Sequence, residues 1–194
     1  MDKLIRSNLM TLEQYADERE NFRTRVISHK NNRRVAIGPN VTLYFEDSLT
    51  MQYQIQEMLR LERIFEADKI QEELDAYNPL IPDGSNLKAT MMIEFPDVEE
   101  RRIELQRLVG IETALWLTVG DLSRVTPIAN EDLDRETVDK TSAVHFVRFE
   151  LSEQMIMSLR SGEQLFIGID HPAYGYNTQV STSTRSSLVR DLRD

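Results

Sequence analysis

Apolar positions recur at helical spacing through Leu12, Tyr15, Phe22 and Val26, gather in two short runs between Val35 and Phe45, and return to helical spacing after Ser48. The first run predicts a helix from residue 11 to about residue 30, opened by a capping box of Thr11 and Gln14. Arg19 falls inside its apolar stripe, and His29 continues that face toward the helix end. The two short runs, separated by the turn Gly38-Pro39-Asn40, predict a β-hairpin of residues 35–37 and 41–45.

The third run is a long amphipathic helix reaching Phe65. Asp47 or Ser48 can cap it, because a short oxygen-bearing side chain there accepts from the free N–H groups of the first turn. At roughly 100° per residue, Met51, Ile55, Met58 and Phe65 share one side, with Leu59 and Leu61 on its flanks. Glu62 lands in the middle of this face. An unpaired buried carboxylate is costly, so the two helices are expected to pack, with Arg19 pairing Glu62 or another buried acid. Gln52, Gln56, Arg60 and Arg63 form a polar stripe on the opposite flank, and Glu57 lies to its side near Tyr53 and Ile64. Such a stripe is either a solvated face with i,i+4 support or a surface that docks a partner or an anionic ligand.

A shorter helix, capped by Asp68 and carrying Ile70, Leu74 and Tyr77, is expected to stop at Asn78-Pro79, because the residue before proline disfavours helix. Residues 78–86, with two prolines and Asp83-Gly84, read as a junction. It divides a helical part with its hairpin (1–80) from a second part (87–194), the two either separate or sharing one core. The second part shows a strand at 89–95, a helix capped by Asp97 and Glu100 that ends at Gly110, and a strand at 114–119 holding the sole tryptophan, Trp116. A polar, acidic loop at 120–142 follows, then a strand at 143–151, a helix from the Ser152 cap to Arg160, and a strand at 164–169. The fold class is therefore α+β: an N-terminal helical part with a β-hairpin, then a ferredoxin-like β-α-β-β-α-β sandwich. His171-Pro172 and Tyr174-Gly175-Tyr176 are expected in a loop leaving the sheet, and residues 181–187 lead into a short final helix.

Composition narrows the function. The chain has 194 residues, 40% hydrophobic and 29% charged, as in ordinary soluble domains. Acidic residues outnumber basic ones 33 to 23, and the net charge of −10 argues against broad binding to nucleic acid or anionic membrane. The opening MDKLIRSNLM is too short and too polar for a signal peptide, and no run approaches a membrane span, so the cytoplasm is the expected location. No cysteine is present. That excludes disulfides, thiolate nucleophiles, thiolate zinc sites and a self-ligated iron–sulfur cluster.

No motif with a defined chemistry stands in the chain, so no catalytic residue, cofactor or metal site is assigned from it. A dicarboxylate metal centre would need Glu-x-x-His pairs on facing helices, whereas His29, His145 and His171 fall on separate elements. His145 alternates with Val144 and Phe146 and so could face solvent. No phosphate-cradling glycine loop and no G-x-S-x-G turn occur. Glu46-Asp47 precede a helix, where negative charge suits the dipole. Arg23, His29, Lys30, Arg33 and Arg34 form a basic cluster, read either as a helix end with its exit loop or as a patch for an anion or an acidic partner.

Three segments in order, VTLYFEDSLTMQYQIQEMLRLERI, ELDAYNPLIP and MMIEFPDVEERRIEL, together with Ile169-Asp170-His171-Pro172, resemble a bacterial family catalogued as domain of unknown function 3501. The resemblance covers nearly the whole chain, and its motif falls on Phe45, Glu46, Thr50, Gln54, Glu57, Met58, Arg60 and Glu62. Members tend to be encoded beside rubrerythrin-like proteins and an iron–sulfur oxidoreductase. The resemblance thus implies, by association, an accessory role in oxidative-stress or electron-transfer metabolism, with redox proteins as partners and no established activity. The leading expectation is a non-enzymatic accessory or interaction protein. The alternative is a small-molecule or metal-binding enzyme whose site lies between the two parts and draws on Glu46, Glu57, Glu62, Arg60 and His171. A nucleic-acid binder acting through residues 23–34 ranks third.

Overall fold

The structure, a computed structural model, describes residues 3–131 and 140–193. Part of the expected acidic loop, residues 132–139, lies outside the described residues. Helix α1 (Leu12–Asn31) opens with the expected Thr11–Gln14 capping box. Strands β1 (Arg34–Ile37) and β2 (Val41–Phe45) form the expected hairpin. Helix α2 (Ser48–Glu62) is capped by Asp47, whose side chain accepts from the Thr50 N–H. Helix α3 (Ala67–Tyr77) starts two residues earlier than expected, with Glu66 at the N-cap position making no side-chain cap bond and Asp68 inside the first turn, and it runs into a 3-10 turn at Asn78–Leu80.

The remaining elements are β3 (Asn86–Ile93), α4 (Val98–Arg107), β4 (Leu115–Val119), β5 (Ile128–Ala129), β6 (Val144–Glu150), α5 (Glu153–Ser161), β7 (Leu165–His171), β8 (Tyr174–Gln179) and α6 (Thr182–Val189). Asp97, Ser152 and Ser181 cap α4, α5 and α6 through the backbone N–H three residues on. These short oxygen side chains satisfy donors that a helix start leaves free.

The fold is mixed α and β with two antiparallel sheets, ordered β1-β2-β3-β6-β5 and β4-β7-β8. The ferredoxin-like arrangement is not confirmed: β3 and β6 pair in the first sheet, whereas β4 and β7 pair in the second. The six expected elements of the second part occur in order, with β5 inserted in the expected loop and β8 added after β7, and short antiparallel pairings win over a single sheet with crossovers. Buried residues from both sheets, among them Leu43, Met91, Phe149, Leu117 and Ile167, form one apolar cluster. The hairpin of the N-terminal part lies directly beside β3 in the same sheet. A second cluster joins α2 to α3 through Met51, Ile55, Leu59, Ile70 and Leu74, and a third holds α1 on the other side of α2 through Tyr15, Phe22 and Val26.

The tail departs from its expected loop. Tyr174-Gly175-Tyr176 begins β8, which pairs with β7 across a turn at Pro172-Ala173. The Tyr174 hydroxyl then reaches the other sheet, donating to Ile37 O at 2.7 Å and accepting from the N–H groups of Asn40 and Val41 at 2.9 and 3.1 Å. Gly38, at φ +69°, permits that approach, since a Cβ there would stand 2.6 Å from the Tyr176 ring. In the second sheet Trp116 lies across Gly168, where a Cβ would come within 2.3 Å of the indole. The Arg124 guanidinium stands 3.8 Å from the centre of that ring and pairs with Asp170 at 2.6 Å.

Helix α2 ends before Phe65. Arg63 adopts the left-handed conformation (φ 54°) and the Ile64 N–H returns to Leu59 O, so Phe65 leaves the helix and is 67% exposed. Leu61 and Glu62 are exposed as well, and Met58 is half-buried. The apolar face is therefore narrower than the wheel predicts, and Glu62 does not meet Arg19. Glu57 takes that place.

Arg33 joins the pieces. It is 2% exposed. Its Nε donates to Phe45 O and its Nη2 to Glu46 O, each at 3.0 Å. Its Nη1 donates to Ser187 Oγ at 3.3 Å, and both terminal nitrogens meet the Asp191 carboxylate. Asp47 Oδ2 lies 3.5 Å from its Nε and 2.5 Å from His29 Nε2. Burial alone would raise the Asp47 pKa, but the Arg33 charge, the Thr50 N–H and His29 outweigh it and hold the carboxyl below its ordinary value. At Asp191 burial prevails over the same guanidinium and the pKa is raised. Replacing Arg33 by methionine leaves Asp191 without its cation and Asp47 with His29 alone, and chemical denaturation at neutral pH should show a loss of about 3–5 kcal/mol. Adding Asp191→Leu should restore part of it; a double variant no better than the single one would remove this account of the network.

Candidate functional site

Residues on one face of the five-stranded sheet build a cleft of about 350 Å³ against α3 and the turn that follows it. The Glu46 N–H donates to Lys88 O at 2.9 Å, which extends the β2–β3 ladder by one residue. Lys88 stands opposite Arg148, and Thr90 opposite Phe146, across β3 and β6. Side chains alternate along strands, so these four point away from Ala89, Met91, Val147 and Phe149, which belong to the core. The Thr90 hydroxyl donates to Glu46 Oε1 at 2.7 Å and so places that carboxylate on the cleft face. Asp75 and Ala76 of α3, with Pro79 and Leu80 of the turn, supply the opposite wall, and Glu131 closes one side.

The charged groups of the cleft differ in how fully they are matched. Arg148 grips Glu131 through two parallel bonds of 2.8 and 2.7 Å and also meets Glu150. Lys88 Nζ donates to Pro79 O at 2.7 Å and to Ile81 O at 3.0 Å. Burial holds its pKa below the ordinary lysine value. Asp75 accepts from Gln71 at 2.8 Å. Glu46 is the exception. It is 6% exposed, and its Oε2 is buried without a hydrogen-bond partner among the described residues.

The other residues singled out by the sequence are not gathered here. Glu57 sits between α1 and α2, where Arg19 forks onto both oxygens at 2.8 and 2.9 Å, the Tyr15 hydroxyl donates at 2.6 Å and Arg60 adds a bond of 3.3 Å. The Arg19 hydrogen bonds, opposed by burial and aided by Tyr15 and Arg60, bring its pKa down to about 2. Gln52 and Gln56 tie the N-terminal segment to α2: Gln52 Nε2 donates to Asn8 O at 2.6 Å, and the wholly buried Gln56 accepts from the Met10 N–H at 2.6 Å. Arg63 is the exposed end of α2. His171 bridges Val109 O at 3.0 Å and the Ala173 N–H at 3.2 Å, which suits a neutral ring protonated at Nε2.

The basic cluster divides. Arg23 and Arg34 are exposed, Lys30 is half-buried, and His29 and Arg33 turn inward to Asp47. His145 is wholly buried, correcting its expected exposure. Its ring nitrogens meet Thr141 Oγ1 at 2.9 Å, Ser142 O at 3.0 Å and Asn130 Oδ1 at 3.1 Å. Alternation did place it opposite Phe146, but the inner face is the histidine's. Among the described residues no group of three metal-ligating side chains occurs, and no helix is long and apolar enough to cross a membrane. Of the expected site, Glu46 alone lies in the cleft. Lys88, Thr90, Phe146 and Arg148 were missed, although their alternation with apolar neighbours is visible in the strand sequences.

Two antiparallel sheets around one core, a flanking helical layer and a carboxylate-bearing cleft between α3 and the sheet define an α+β protein with a recessed candidate site. The chain belongs to the family described as "Protein of unknown function (DUF3501)", whose model matches residues 3–192. It is similar to a crystal structure of a novel protein of unknown function from Burkholderia pseudomallei, with 51% sequence identity and a TM-score of 0.94, covering 99% of this chain and 100% of that one. A comparison with curated proteins finds no match.

Two substitutions separate the satisfied carboxylate from the unsatisfied one. At neutral pH Glu57→Gln should lower stability by about 1–2 kcal/mol, the partial exposure of Arg19 moderating the loss. Because the folded pKa is depressed, this stability is fully present above the ordinary value of 4.5 and is lost as pH falls toward about 2. Urea titrations across that range should show the two proteins converging. Glu46→Gln keeps an acceptor for Thr90 and removes a buried charge, so its melting temperature should equal or exceed that of the natural chain. A marked fall would mean that Oε2 is matched after all.

Proposed function

We propose that this protein binds a small organic molecule in the cleft between α3 and the five-stranded sheet. The observation that carries the reading is the Glu46 carboxylate, buried in the cleft wall with one oxygen unmatched. Buried polar atoms are almost always paired, and an exception needs an account. A ligand that enters and pairs it is the simplest one. The cleft volume of about 350 Å³ suits a small ligand and not a peptide.

This reading develops the alternative of a carboxylate site between the two parts, with Glu46 retained and Glu57, Arg60, Glu62 and His171 assigned elsewhere. It is a binding function: beside Glu46 stand a lysine held by two carbonyls and an arginine held by carboxylates, a set that orients a ligand without presenting an activated nucleophile. An accessory role beside redox proteins is compatible with ligand binding and rests on the family resemblance. A protein partner would find exposed apolar side chains at Leu61 and Phe65. The cleft is preferred because its chemistry specifies an occupant.

Ala76 is exposed on α3 and lines the cleft, so Ala76→Trp should fill it without disturbing a buried position. In a thermal-shift screen of small metabolite-like compounds, at least one should stabilise the natural chain and leave Ala76→Trp unchanged. If every stabilising compound acts equally on both, the cleft is not the binding site.

A further inference from the structure

Resting on that reading, we propose that the ligand is a small organic cation, an amine or amidine attached to a compact apolar body, whose N–H groups meet Glu46 Oε2. An ionised carboxylate only accepts hydrogen bonds. Thr90 already serves Oε1, so the missing partner of Oε2 is a donor. A neutral donor would supply the bond but leave a charge buried in the wall. A cationic donor supplies both, and charge-assisted bonds of this kind are the strong ones.

The positive charges already in the cleft do not fill this role. Lys88 is turned to the carbonyls of Pro79 and Ile81, and Arg148 to Glu131 and Glu150. Acidic side chains outnumber basic ones along the lining, so an anionic ligand would meet the wrong field. A bare metal ion is a poor match, because Glu46 brings no further ligating side chains and no group of three occurs among the described residues.

The rest of the ligand follows from the walls. Ala76, Pro79, Leu80 and Phe146 offer apolar contact. Phe146 stands opposite Thr90, which itself holds Glu46, so an aromatic side chain lies one strand beyond the threonine. That arrangement suits a cation with a flat or short apolar body, the charged end at Glu46 and the body along the apolar lining.

The test uses four probes of one size: benzylamine and benzamidine as cations, benzyl alcohol as a neutral analogue and benzoate as an anion. Binding to the natural chain, Glu46→Gln and Ala76→Trp is measured by calorimetry, with thermal unfolding confirming that each variant is folded. The two cations should bind the natural chain, lose roughly 10- to 100-fold in affinity with Glu46→Gln, and fail with Ala76→Trp; the alcohol and benzoate should bind far more weakly throughout. Glu46→Asp, which keeps the charge but withdraws it, should fall between. Cation binding unaffected by Glu46→Gln would overturn the proposal. Binding of benzoate or the alcohol that Ala76→Trp abolishes, without cation binding, would also overturn it while leaving a ligand-binding cleft in place. If no probe binds in a manner sensitive to Ala76→Trp, both the cation and the cleft reading fall.

Discussion

The Arg33 guanidinium is where separate stretches of chain are made to agree. It lies between the end of β2, the cap of α2 and the C-terminal segment, and Asp191 is 158 residues away in sequence. A buried cation of this kind contributes little net stability compared with apolar packing, because desolvation offsets most of the attraction. What it fixes is position. Its five donors are rigidly arranged, so Phe45 O, Glu46 O, Ser187 Oγ and Asp191 can satisfy them in one relative placement. The same contacts hold the backbone of Glu46 at the point where β2 gives way to α2, and therefore set where its carboxylate emerges on the sheet.

The elements were legible because their signals are local. Thr11, Asp47, Asp97, Ser152 and Ser181 each announce a helix start through a short oxygen side chain, and each caps one. The hairpin follows from two short β-prone runs about Gly38-Pro39-Asn40. Pairing among strands is not local. The order β-α-β-β-α-β is compatible with one sheet or with two, and what separates them here includes β8, whose glycine and polar residues give a weak strand signal. Once β8 extends β4 and β7, and the hairpin extends β3, each pair completes its own antiparallel sheet.

The side chains that misled the sequence reading share a physical cause. Periodicity tells which residues lie together but not which face is inside. On β6, His145 and Phe146 alternate as expected, yet the histidine is enclosed and the phenylalanine faces the cleft. On α2, the polar stripe of Gln52 and Gln56 is covered by the N-terminal segment, whose backbone needs those amides. Glu62 was placed in the core by angle alone, but the helix ends at the next residue, and the acid that Arg19 requires is Glu57. Arg33 could not be recognised as buried, because its partners come from three regions of the chain.

Against this background the state of Glu46 carries weight. The protein supplies several partners to three other enclosed or half-buried polar side chains: three residues converge on Glu57, two carboxylates and a row of acceptors surround Arg33, and His145 has contacts at both ring nitrogens. A chain that can satisfy a buried guanidinium across 158 residues of sequence had nearby means to satisfy one carboxylate oxygen. Lys88 sits in the neighbouring strand and is turned to backbone carbonyls. Turning it toward Glu46 would close the pair internally and leave the cleft without that anchoring charge. The observed arrangement keeps the anchor open at a cost in stability, the pattern expected where a binding site takes precedence over packing.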